Sequence, residues 1–504
     1  MSSSAIPWPP PSARPVETHI STVWLTEAYA YKVKKPVHLV FLDARDLATR
    51  ERFCREELRL NARTAPGLYL DVLPVTQDRA GVWLDGPGDT VDWVVRMHRF
   101  PDDALLAHHA DAGTLTPDQI DGAAAAIARF HRAERPLPAT AARPKTLRHW
   151  AAENVEEILE LAGRQSTVDV GPMRSLGQRL DQRFAVEASW SAARTASGWL
   201  RECHGDLHLG NLIAWRGAVT AFDAIDFDAS LRIIDPIADV AFTWMDLLAR
   251  GYRGLAWRLL GGYLEELGSY DALVGLRTFA AYRALVRAKV ALLLDDQSDF
   301  VRYWRVAEQL CGPVPAPALI LMTGLSGSGK STAAAMLAES LGAVRTRSDV
   351  ERKRLFDLAP TARPTDRETL YGASASARTY ERLASVARDA LTAGFRVVVD
   401  AAALRQDERA RFKSLAHALG VGFALVECVA DPAQVSARMM ARSAADTDAS
   451  DADLAVRQQQ GLTVEPVPAS WSADHHVLRN DDDLQALRAA AERLAGRLED
   501  TWSA

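Results

Sequence analysis

The segment Gly324-Leu325-Ser326-Gly327-Ser328-Gly329-Lys330-Ser331 joins three glycines to a lysine and a hydroxyl at fixed spacing. Glycines at these positions let the backbone turn its N–H groups inward, and the amino end of a following helix adds its own, so the loop can cradle a phosphate. Lys330 then places positive charge on the β and γ phosphates of a nucleoside triphosphate, Ser331 reaches a magnesium ion, and Thr332 continues the same first helical turn. The flanks suit this chemistry. Ala318–Met322 is an apolar run of buried-strand type, and Ser331–Met336 reads as helix.

Nucleotide binding alone transfers nothing, so an acceptor-activating group is needed near the γ phosphate. In Thr346–Arg352, Asp349 and Arg352 lie three apart on an opening helical turn and share a face. One can accept a hydroxyl proton while the other steadies phosphate charge; helix capping by Ser348 or Asp349 is the competing role. This spacing resembles the DxxR arrangement of polynucleotide kinase-like and small-molecule P-loop kinases. Asp400 ends the apolar strand Arg396–Val399, a placement suited to a metal-bound water. Arg438 and Arg442, four apart on a predicted helix, resemble the arginine-bearing lid of such kinases, with two solvated surface arginines as the alternative.

A second cluster lies far upstream. His204-Gly205-Asp206-Leu207-His208-Leu209-Gly210-Asn211 precedes a short predicted hairpin and then Ala221-Phe222-Asp223-Ala224-Ile225-Asp226-Phe227. Carboxylate and amide oxygens are hard ligands for Mg²⁺, and an ionised aspartate can orient a hydroxyl for in-line attack. His204 and His208 are expected to bond loop backbone. HGDLHxxN followed by IDF and then Asp239-Val240-Ala241 resembles the aminoglycoside phosphotransferase family, a branch of the protein-kinase-like fold. The resemblance implies that Asp206 receives the acceptor's proton and that Asn211 and Asp226 hold Mg²⁺, with Asp223 on the same strand as the alternative ligand. A kinase-like lobe also needs a lysine for the phosphates and a helix glutamate to hold it. Lys34 with Glu57 is the preferred pair, Lys32 and Glu56 the substitutes; a GxGxxG loop is absent near the amino terminus.

The elements that must position these groups fall on two sides of Gly312-Pro313-Val314-Pro315-Ala316-Pro317, whose prolines favour an extended spacer. The expected organisation is a flexible arm over 1–15, a kinase-like domain over 16–311, the linker 312–317 and a P-loop domain over 318–504. The fold class is α/β in two domains. A protein-kinase-like α+β bilobal domain precedes a P-loop domain whose predicted order is strand 318–324, helix from 330, strand 396–400, helix 405–419, strand 422–429 and helix 433–442, a parallel sheet flanked by helices.

The 504 residues, 48% hydrophobic and 25% charged, can bury sizeable cores. A net charge of −6 with interspersed signs argues against a nucleic-acid or lipid-surface partner. No uncharged apolar run reaches the roughly 20 residues of a membrane span, and the proline-rich amino end lacks the layout of a secretory signal, so a cytoplasmic location is expected. Cys54, Cys203, Cys311 and Cys428 are scattered, with no zinc-type spacing, and read as reduced core thiols. The paired arrangement resembles a bacterial group of bifunctional proteins. It implies an ATP- and Mg²⁺-dependent phosphotransferase acting on hydroxyls of small molecules of the sugar or amino sugar class. The wall from Asp246 to Asp299 mixes acids with Arg250, Arg253, Arg258, Arg283 and Arg287, which disfavours a polycationic antibiotic as acceptor. Rival expectations are a nucleotide-driven regulatory ATPase, or activity of the P-loop half alone on a small molecule or a polynucleotide 5′-hydroxyl.

Overall fold

The computed structural model describes residues 6–39, 42–141, 145–163, 170–360, 362, 370–431, 434–435 and 454–503. The chain forms two compact units: Met1–Asp246 with Thr278–Ala307, and Leu247–Arg277 with Glu308–Ala504.

The first unit carries a seven-stranded antiparallel sheet in the spatial order Ile6–Pro7, Val82–Leu84, Tyr69–Gln77, Asp89–His98, Tyr29–Lys34, Ser21–Leu25, Arg14–Glu17. The residues expected as a free arm therefore join the sheet from Ile6 onward. Ile6 pairs with Leu84, and the Trp8 ring stands edge-on to Trp24 and Tyr31, giving the proline-rich segment an apolar anchor. One helix, Leu47–Thr64, packs on this sheet; Asp46 caps it by accepting from the Thr49 N–H at 2.9 Å. Cys54, Val95, Met97 and Ile213 share the core beneath it. The hairpin Leu212–Trp215/Ala218–Ala221 and long helices complete the unit.

The second unit is built on a five-stranded, wholly parallel sheet, ordered Ala343–Arg347, Arg396–Asp400, Ala318–Thr323, Gly422–Val429, His475–Arg479. The predicted strands fall within a residue of those observed; Ala343–Arg347 and His475–Arg479 are additional. Ala318–Thr323 is buried throughout, as the central strand of a sheet covered on both faces must be. The helix predicted over 433–442 lies almost entirely outside the described residues.

Leu247–Arg277, placed with the first domain by the linker argument, packs with the second unit instead. Its helix Arg253–Leu267 sets Arg258 3.1 Å from Glu339 and Glu265 2.9 Å from Arg345, and Trp257 stands edge-on to Phe395. Apolar and ionic partners roughly 80 to 140 positions downstream outweigh chain proximity here. Arg250, Arg253 and Arg258 therefore leave the wall assigned to the first domain.

Candidate active sites

Strand geometry sets the first site. Side chains two apart on a strand point to one face, so Lys32 and Lys34 both aim at the helix Leu47–Thr64, where Glu57 is fully buried. Lys32 Nζ lies 2.9 Å from Glu57 Oε1 and Lys34 Nζ 2.6 Å from Oε2. Each lysine has a second partner: Lys32 bonds Asp223 and Lys34 bonds Asp226. Burial by itself would raise the Glu57 pKa; the two ammonium groups reverse this and lower it to about 2. Glu56 turns away to Arg232 at 2.5 Å and Arg59 at 2.7 Å.

The two aspartates differ in surroundings. The Asp226 side chain is 5% exposed and closed in by Lys34, whereas that of Asp223 is 41% exposed. Asp223 adopts a left-handed backbone (φ 63°), and its N–H donates to Tyr69 Oη at 3.1 Å. This local kink turns its carboxylate into the cavity.

The loop carrying Asp206 is clamped from below. Buried Asp239 accepts from the His204 and Gly205 N–H groups at 2.8 and 2.9 Å and lies 3.1 Å from His131 Nε2. The sequence alone gives Asp239 no role, because its partners sit more than thirty residues upstream. His131, Cys203 and Asp239 come close enough together to share a metal ion, but the backbone bonds to Asp239 account for its burial. His204 Nε2 bonds the Phe222 carbonyl at 2.9 Å, and His208 Nδ1 accepts from the Gly210 N–H at 3.0 Å, so both histidines brace loop backbone. Cys203 is fully buried and burial pushes its thiol well up, as suits a core residue.

Asn211 donates from Nδ2 to the Asp206 carbonyl (2.8 Å) and carboxylate (3.0 Å). Its amide oxygen is the end left for a ligand. Burial raises the Asp206 pKa, but neighbouring His208, with Arg287 and His204, outweighs it and holds the carboxyl below its ordinary range. Asp206, Asn211, Asp223, Asp226, Lys32 and Lys34 all line one cavity of about 1050 Å³. The oxygens of Asp223 and Asn211 are of the hard type that Mg²⁺ takes.

In the second unit the strand Ala318–Thr323 runs into the glycine loop and the helix Lys330–Leu341 begins at its end. Gly324 (φ 133°) and Gly329 (φ 87°) are required: a Cβ would meet Cys428 O at 2.4 Å in one case and Asn480 Nδ2 at 2.0 Å in the other. Lys330 Nζ reaches back to the Leu325 carbonyl at 3.2 Å. Three residues carrying no sequence motif also hold the loop: Gln460 accepts from the Ser326 N–H at 2.8 Å, Arg457 donates to Ser326 O at 2.6 Å, and Asn480 donates to Ser328 O at 2.9 Å. Arg438 and Arg442 lie outside the described residues.

Asp349 opens the helix Ser348–Arg354, whose N-cap is Arg347 with no side-chain cap bond, so Asp349 is not its cap. Arg352 is 8% exposed, bonds Leu370 O and Ser376 Oγ at 3.3 Å, and stacks 4.9 Å from the Tyr371 ring, unlike a surface ion pair. Asp400, buried at the carboxyl end of its strand, lies 3.8 Å from Arg347 Nε. Ser331 and Thr332 start the loop's helix, with Thr332 exposed.

Residues 93–285 match the phosphotransferase enzyme family and residues 319–467 match an AAA domain family. Uncharacterized proteins of Mycobacterium tuberculosis and Mycobacterium bovis are 31% identical over 476 residues, covering 92% of this chain and 91% of theirs. The chain belongs to this two-domain family. Among solved structures, a gluconokinase from Sinorhizobium meliloti 1021 is 22% identical over 38% of this chain and 97% of its own, with a TM-score of 0.26. A GDP complex of an aminoglycoside 2′-phosphotransferase is 13% identical over 60% of this chain and 91% of its own, with a TM-score of 0.37. The protein is an ATP-dependent phosphotransferase of the kinase type, working with Mg²⁺. Among the described residues no helix is long and apolar enough to cross a membrane.

Proposed function

We propose that each unit transfers the γ phosphoryl of ATP to a hydroxyl of a small molecule, with the sugar class as the first acceptors to try. The observation carrying the reading is the convergence of Asp206, Asn211, Asp223 and Lys32 on one cavity, with Lys32 held from behind by Glu57. Asp206 takes the acceptor's hydroxyl proton as the new oxygen–phosphorus bond forms and the bond to the bridging β–γ oxygen breaks, releasing ADP. Asn211 holds Asp206 in place. Lys32, fixed by Glu57, puts positive charge on the nucleotide phosphates. Asn211 Oδ1 and Asp223 would hold the Mg²⁺, with Asp226 instead the buried counterion of Lys34. Bound Mg²⁺ neutralises charge on the phosphates.

In the second unit Lys330 and the loop N–H groups hold the phosphates, Ser331 and Asp400 serve the metal side, Asp349 is the base and Arg352 steadies phosphate charge. Phosphate transfer from γ-labelled ATP to a panel of hydroxyl compounds, run with wild type, Lys330→Ala and Asp206→Asn, tests both halves. Each variant should abolish one acceptor-dependent activity and spare the other. ATP hydrolysis without any labelled acceptor would overturn the reading in favour of a regulatory ATPase.

A further inference from the structure

The acceptor side of the first cavity is lined by one helix face. Arg283, Val286, Arg287 and Val290, from the helix Leu273–Leu293, recur at helical spacing along the wall. A pocket for a polycationic acceptor would need carboxylates without cations of their own. Here the lining acids other than Asp206 each have a partner: Asp102 with Arg14 at 3.8 Å, Glu157 with Lys289 at 3.4 Å, Asp223 with Lys32 and Asp226 with Lys34. The arginines are not matched in the same way. Among the described residues Arg287 Nε and Arg283 Nη2 are buried with no hydrogen-bond partner, while Arg283 Nε donates to the Ala238 carbonyl at 3.4 Å. Arg283 lies 5.0 Å from the Phe242 ring and 5.2 Å from that of Tyr282, and Arg287 5.4 Å from that of Tyr303, so packing fixes both guanidinium planes. Arg287 and Asp206 line the same cavity, and Arg287 is among the charges that hold the Asp206 carboxyl below its ordinary range. Asp246 is occupied by the Leu209 N–H at 3.0 Å and Tyr303 Oη at 2.8 Å.

We infer that the first unit's acceptor is an anionic hydroxy compound, a carboxylate or phosphate monoester whose charged group docks on Arg287 while its hydroxyl meets Asp206. Guanidinium forks bind both anion types in bidentate fashion, and Val286 and Val290 contact the carbon chain. The inference rests on the phosphotransfer reading of Asp206 and narrows its substrate.

The test uses the full chain carrying Lys330→Ala, so that the second unit is silent. Transfer from γ-labelled ATP is measured to D-gluconate, D-glycerate and glucose 6-phosphate, to the uncharged glucose and glycerol, and to kanamycin. Transfer should be confined to anionic members, with the sugar acid and phosphate ester arms separating the two anion types, and Asp206→Asn should abolish it. Truncating one partner of a buried charge pair implies that Arg287→Met raises KM on the order of 30-fold or more while leaving kcat within about threefold, and Arg287→Lys should recover part of the loss. Asp206-dependent transfer to glucose, glycerol or kanamycin, insensitive to Arg287→Met, overturns the anionic assignment and leaves the catalytic reading intact. Absence of Asp206-dependent transfer to all six compounds overturns the catalytic reading itself. Should Arg287→Met fail to fold, the charge selectivity of the unsubstituted pocket decides.

Discussion

Asp223 and Asp226 are chemically identical, three residues apart and bonded to lysines two residues apart, yet their surroundings predict opposite responses to one substitution. Asp226→Asn removes a carboxylate that is 5% exposed from a lysine that is 6% exposed. Breaking a buried pair from one side costs about 3–5 kcal/mol. Lys34 retains Glu57 at 2.6 Å, so the lower end applies, and about 3 kcal/mol corresponds to a Tm drop of roughly 6–12 °C. Asp223→Asn acts on a side chain that is 41% exposed, while Lys32 keeps Glu57 at 2.9 Å. Exposed pairs contribute about 0–1 kcal/mol, so the Tm should move by no more than about 4 °C.

Activity should divide the other way. As a metal ligand Asp223 supports several kcal/mol of charge stabilisation, so its loss should slow Asp206-dependent transfer on the order of a thousandfold and raise the Mg²⁺ requirement. Folded Asp226→Asn should lose less than about tenfold, since it acts only through Lys34 and Glu57. Thermal denaturation by circular dichroism and initial rates against Mg²⁺, both in the Lys330→Ala background, give the two readouts. A silent but fully stable Asp226→Asn, beside an active Asp223→Asn, would refute the division of roles and return the metal to Asp226.

Burial is the largest influence on the Glu187 carboxyl, which is raised to about 7 while accepting from Thr278 Oγ1 at 2.7 Å. The folded chain therefore holds a proton there that the unfolded chain loses near pH 4.5, and stability should fall by about 2 kcal/mol between pH 4.5 and 7; Glu187→Gln should flatten that part of the urea-denaturation profile. Because the Asp206 pKa is depressed, its carboxylate stays ionised well below neutrality, and the rate it supports should show no acid limb between pH 7 and 5. Asp239→Ala leaves the His204 and Gly205 N–H groups without their acceptor, at about 1–3 kcal/mol each, so a lowered Tm should accompany loss of first-unit transfer. Gly329→Ala, whose Cβ would overlap Asn480, should erase the second unit's ATP-induced stabilisation, about 2.7 kcal/mol at a hundredfold excess over Kd in the parent loop.

What could be read from sequence was local chemistry. The glycine loop declares itself because its positive-φ turns, its lysine and its helix start are contiguous, and His204–Asn211 does so because Asn211 bonds the aspartate five positions before it. Ambiguity entered where two candidates satisfied the same local rule. Lys32 and Lys34 share a strand face, so the one-lysine expectation could not choose between them, and both proved to hold Glu57. Asp223 and Asp226 were separable only through a left-handed residue that no glycine announces. Long-range pairing was invisible altogether. Arg253–Leu267 has an ordinary helical pattern, and only Arg345 and Glu339, some eighty positions away, show where it packs. The same limit hid Arg457, Gln460 and Asn480, which reach the glycine loop from more than a hundred residues beyond it. The acceptor wall shows why this matters for function: of five arginines grouped by sequence, three belong to the other unit, and the two that remain face the cavity that holds Asp206. Read along the chain, the charges of this wall mix in sign without pattern; gathered around the cavity, they make the site we propose to select an anion.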